Sequence, residues 1–125
     1  MKSINELVQE AHGNAVSKGW WDKERSFGES IALIHSEASE ALEDYRANKK
    51  PTEVWYEKKD ELGIVFGENQ LTADWKPCGI PSEMADIVIR VMDVCGWYGI
   101  DLEQAIVEKM TYNASRPQRH GGKKI

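Results

Sequence analysis

The chain has almost no cysteine, no long apolar run, no excess of positive charge and no Glu-x-x-His motif, and each shortage removes a class of protein. Its two cysteines, Cys78 and Cys95, are too few for a disulfide framework, so a reduced cytoplasmic setting is the expectation. No apolar stretch approaches the roughly 20 residues that span a bilayer, which leaves no membrane partner. The first residues, MKSINELVQEAH, carry acids and amides where a signal peptide needs an apolar segment. A formal charge of −5 argues against nucleic acid as a partner, because phosphate backbones are bound through clustered cations. None of His12, His35 and His120 has an acid three residues before it, so a di-iron carboxylate centre is disfavoured.

What remains fits one soluble domain over residues 1–125, with 41% hydrophobic and 30% charged residues. There is no internal repeat and no low-complexity tract. Ile4, Leu7, Val8, Ala11, Ala15 and Val16 recur at helical spacing and predict a helix over 4–18, closed by Gly19. The segment GWWDKERSFGES reads as a loop. Ile31, Ile34, Ala38, Ala41, Leu42 and Tyr45 predict a second helix over 29–47. A third begins near Pro81, a residue suited to a first turn, and is apolar most of the way round. That pattern predicts burial on several sides and hints at a subunit interface. Asp101 and Gln104 have the form of an N-cap box for a last helix over 102–115. Residues 52–79 are either an irregular insertion or a β-hairpin, with TEVWYEKK and GIVFGEN flanking a charged turn. The expected class is all-α, a bundle of four main helices carrying that insertion.

Acidic residues provide the chemical signal. Glu37 and Glu40 are three apart, which places them roughly 60° apart around a helix and lets both reach one point. Glu83 and Asp86 repeat the spacing on the third helix. Each pair borders an apolar stripe rather than opposing it, so packing of the two stripes would bring four acids together. Unpaired carboxylates so placed repel one another, and a hard divalent cation relieves the repulsion. An oxygen-only donor set favours Mg2+, with Mn2+ as a substitute, over zinc. The competing reading is a solvated acidic face, since Glu43 and Asp44 show that acids are plentiful on the second helix.

The motifs Glu37-Ala-Ser-Glu40 and Glu83-Met-Ala-Asp86, with the C-terminal KMTYNASRPQRHGG, resemble the MazG-like all-α nucleoside triphosphate pyrophosphohydrolases. The resemblance covers most of the chain outside 52–75. It departs at Ser36, where many members carry a second acid, and in a longer spacer between the motifs. It implies Mg2+-dependent conversion of a nucleoside triphosphate and water to the monophosphate and pyrophosphate, in a homodimer or homotetramer. The metal ligands would be Glu37, Glu40, Glu83 and Asp86, with Glu37 and Glu40 catalytic and Glu40 a candidate to orient water. Lys109, Asn113 and Arg116, at i, i+4 and i+7, would meet phosphates or sugar, and otherwise read as ordinary exposed helix residues. Arg119, His120 and Lys123 would fold over the triphosphate; read from charge alone they belong to a solvated basic tail. Trp20 or Trp21 would stack on the base, or else anchor the loop. The alternative function is a non-catalytic helical interaction domain or a nucleotide sensor.

Overall fold

The computed structural model describes residues 1–117, which form two compact units. One comprises Met1–Trp20 and the chain from Met92 on; the other is Trp21–Val91. Four helices appear, α1 (Ile4–Ser17), α2 (Phe27–Arg46), α3 (Ile80–Tyr98) and α4 (Leu102–Ser115), with three strands between α2 and α3. The all-α expectation is therefore wrong: the fold is mixed. Strands β1 (Trp55–Asp60), β2 (Gly63–Gly67) and β3 (Lys76–Cys78) make an antiparallel sheet in the order β2-β1-β3.

In the terminal unit α1 starts with a capping box. The Ser3 hydroxyl accepts from Glu6 N at 3.1 Å and the Glu6 carboxylate accepts from Ser3 N at 3.0 Å. Asp101 caps α4 as its spacing implies, accepting from Gln104 N at 3.0 Å, but the Gln104 side chain turns forward to Glu108. Asn5 joins the two helix starts. It donates to Asp101 Oδ1 at 2.8 Å and accepts from Glu103 N at 3.2 Å. His12 meets Asp93 at 2.9 Å and lies edge-on to Trp97. Gly96 makes this approach possible, because a Cβ there would fall 2.5 Å from His12 Cβ. Val8, Val94 and Cys95 are the buried apolar residues among those described in this unit.

In the central unit α2 begins at Phe27, two residues before its expected start, and its cap Ser26 accepts from Glu29 N. Asn48, at φ 68°, ends it: Lys49 N reaches back to Asp44 O and Asn48 N to Tyr45 O, a Schellman pattern. The hairpin pairs Asp60 with Gly63 across Glu61-Leu62, and Leu62 N donates to the Asp60 carboxylate. Pro77 lies opposite Tyr56 on the edge strand β3, where its missing N–H is tolerated. Gly79 then turns the chain into α3 at φ 110°, and a Cβ there would lie 2.3 Å from Glu53 O. Glu83 N bonds Gly79 O, so this glycine sets where the first turn of α3 begins.

Among the described residues, the expected burial of α3 on several sides does not occur. Asp93, Val94 and Cys95 are its buried residues, while Met84, Val88, Ile89, Trp97 and Tyr98 are exposed. Among the described residues no helix is long and apolar enough to cross a membrane.

Candidate metal centre

The carboxylates singled out by spacing lie on two helices of the central unit. Glu37 and Glu40 are on α2, and Glu83 and Asp86 are in the first two turns of α3. The structure brings three of the four together: ligand oxygens of Glu37, Glu83 and Asp86 all lie within 4.8 Å of one another. Glu40 is exposed and stands outside that group, near enough to Glu83 to act on it. Glu37 is the most enclosed, at 8% exposure.

The cluster is electrostatically loaded. Glu83 is pushed up to about 7, first by burial, then by the hydrogen bond and charge of Glu40, and further by Asp86 and Asp44. Asp86 is also raised, by burial and by the charge of Glu37, against the opposing pull of Arg90 and Lys76. Glu83 Oε2 is buried and has no hydrogen-bond partner among the described residues. Such an atom is costly to keep out of water unless something binds it. Three convergent carboxylates, one with a buried and unmatched oxygen, fit a hard divalent cation such as Mg2+ or Mn2+.

Three participants were not read from the sequence. Arg90 donates from Nε to Glu37 Oε1 at 3.1 Å, with both side chains largely covered. Its signal was present: it follows Asp86 by four and Glu83 by seven, so all three share one helix face. Lys76, exposed on β3, and Asp44 act through their charge. Asp44 had the same signal on α2, four after Glu40 and seven after Glu37. Lys76 had none, because it reaches the acids only through the sheet.

The proposed substrate residues are distributed differently. Trp21 is buried, with the Arg25 guanidinium 4.2 Å from its ring centroid, as an anchor would be; Trp20 is exposed. In α4, Lys109 and Arg116 approach the Tyr112 ring at 5.8 and 5.7 Å, and Asn113 is exposed. Arg119, His120 and Lys123 lie outside the described residues. Both cysteines are free and buried, and burial pushes each thiol up, away from the reactive thiolate. Comparison of the chain with protein-family models, curated proteins and solved structures finds no match.

Proposed function

We propose that this chain is a Mg2+-dependent nucleoside triphosphate pyrophosphohydrolase. The observation that carries the reading is the convergence of Glu37, Glu83 and Asp86 within 4.8 Å, with a buried Glu83 oxygen left unmatched. The motif resemblance to the MazG-like enzymes supplies the reaction: an NTP or dNTP and water give the monophosphate and pyrophosphate, as in nucleotide-pool control.

Glu37, Glu83 and Asp86 would hold Mg2+, or Mn2+ in its place. When bound, such an ion offsets the charge of triphosphate oxygens and of the leaving pyrophosphate. Glu40, beside Glu83 but outside the three-oxygen group, would orient water and take its proton. The water oxygen forms a bond to the α-phosphorus while the bond to the α,β-bridging oxygen breaks, and pyrophosphate leaves with that electron pair. Lys109, Asn113 and Arg116, with Arg119, His120 and Lys123, are the proposed phosphate and sugar contacts. Trp21 is buried and Trp20 exposed, so Trp20 is the tryptophan we propose to stack on a base.

The exposed apolar residues of α3 and of β2, among them Met84, Val88, Ile89 and Phe66, support assembly into a homodimer or homotetramer that covers them. Two free thiols support a reducing, cytoplasmic setting. The same apolar exposure is the observation favouring the second reading, a non-catalytic interaction or nucleotide-sensing domain.

Incubation with a panel of canonical and modified nucleoside triphosphates and Mg2+ separates the two. Pyrophosphate and monophosphate are the expected products. Release of orthophosphate and a diphosphate would refute the assigned bond, and no turnover of any nucleotide would favour the second reading. A folded Glu40→Gln variant with full activity would remove Glu40 from the chemistry.

A further inference from the structure

Arg90 lies within the acid cluster rather than at its rim. Asp86 and Arg90 are i and i+4 on α3, and the guanidinium closes on Glu37 of α2 at 3.1 Å. The two side chains are 19% and 10% exposed, so little solvent screens the contact. A guanidinium stays charged throughout the working pH range. It is therefore a permanent cation among the same carboxylates that a divalent ion would use. Three carboxylates and one guanidinium leave a net of two negative charges when all are ionised, which matches one divalent ion.

Two consequences follow from charge and geometry. Without an ion, the pairing lowers the repulsion around Glu37 and fixes its side chain. With an ion, the guanidinium repels it across a short, partly covered distance and keeps hold of one Glu37 oxygen. We propose that Arg90 is the resident counter-cation of this centre, competing with the divalent ion for Glu37. It keeps the acids together when no ion is held, and it weakens ion binding enough for exchange. This inference rests on the metal reading of the cluster given above.

The test measures Mn2+ binding by electron paramagnetic resonance on the full chain at pH 8, without nucleotide. Wild type, Arg90→Met and Arg90→Lys are compared. Arg90→Met is expected to bind Mn2+ roughly tenfold more tightly than wild type, because a nearby like charge has gone. Arg90→Lys keeps the charge and is expected to stay near wild type. In EDTA, Arg90→Met is expected to melt below wild type, with the deficit closing at saturating Mn2+. A residue that only filled space would give the opposite result, weaker binding in the destabilised variant.

Wild-type Mn2+ binding with equal or weaker binding by folded Arg90→Met overturns the inference and leaves the metal reading standing. Equal tightening in Arg90→Lys also overturns it, since charge would not be the cause. No Mn2+ binding by either wild type or Arg90→Met sinks the metal reading and the inference together. Arg90→Gln, shorter and polar, gives the same comparison if circular dichroism shows that Arg90→Met does not fold.

Discussion

The two units differ in how fully they match their buried polar atoms. In the terminal unit, Asp93 is 4% exposed and is matched by His12 at 2.9 Å. In the central unit, Glu83 is raised to about 7 by its surroundings, and one of its oxygens is buried without a partner. Among the described residues, the other buried side-chain atom without a partner, Ser30 Oγ, is in the same unit. Stable folds satisfy their buried polar groups, so an exception that gathers like charges is a candidate site. The terminal unit looks built for stability, and the central unit holds unmet demand.

The sharpest way to break this contrast is to make one substitution in both places. Glu83→Gln is expected to lower pyrophosphohydrolase activity on the order of 100-fold or more, since it removes a proposed metal ligand. It is also expected to raise the melting temperature in EDTA by a few degrees, because a like charge has been removed, and to abolish any rise on adding Mg2+. Asp93→Asn should do the reverse, lowering stability by about 1–3 kcal/mol through loss of the charged partner of His12. If both variants move the melting temperature the same way, the contrast fails.

Gly96→Ala tests the packing behind the matched pair. The new methyl would stand 2.5 Å from His12 Cβ, which a helix backbone cannot easily yield to. A loss of about 1–3 kcal/mol is expected by urea unfolding. A neutral result would mean that α1 and α3 separate at no cost.

The pH dependence sharpens the comparison further. The folded-state value for Glu83 is about 7, against an ordinary 4.5. Between these values the native state keeps a proton that the unfolded chain has lost. Stability in EDTA is therefore expected to fall as pH rises through this window and to level off above it. Melting curves from pH 5 to 8 check this, with Glu83→Gln as the control whose slope should be shallower. Identical slopes would show that Glu83 is not the group responsible. The smallest effect is expected at Ser3→Ala, about 1 kcal/mol from the lost cap of α1, with no change in any response to Mg2+.

How much of this was legible in the sequence depended on the range of the interactions involved. The helices were, because apolar spacing and cap residues such as Asp101 act within one or two turns. The acid pairs were too, because a three-residue spacing fixes a shared helix face whatever the rest of the chain does. The sheet was only half visible. The hairpin could be suspected from GIVFG, but β3 is three residues long with Pro77 at its centre, and Pro ordinarily argues against a strand. Its edge position made Pro harmless, and that position is a property of the fold. Arg90 was missed for a different reason. Its spacing from Asp86 was plain, but its partner Glu37 is 53 residues away. The apolar surround of α3 was also read correctly as composition. Whether the chain itself covers that surface is not encoded in periodicity.

The turn at Gly79 has a practical consequence for protein engineering. The sheet is joined to the helix bearing Glu83 and Asp86 through one residue that has no room for a side chain, whereas Leu62 at the hairpin tip is 98% exposed. The insertion thus has a rigid root and a permissive tip. A fluorophore, an affinity tag or a short grafted epitope belongs between Glu61 and Leu62, where it would report on the protein without altering it. A saturation library at position 79 should return glycine almost alone.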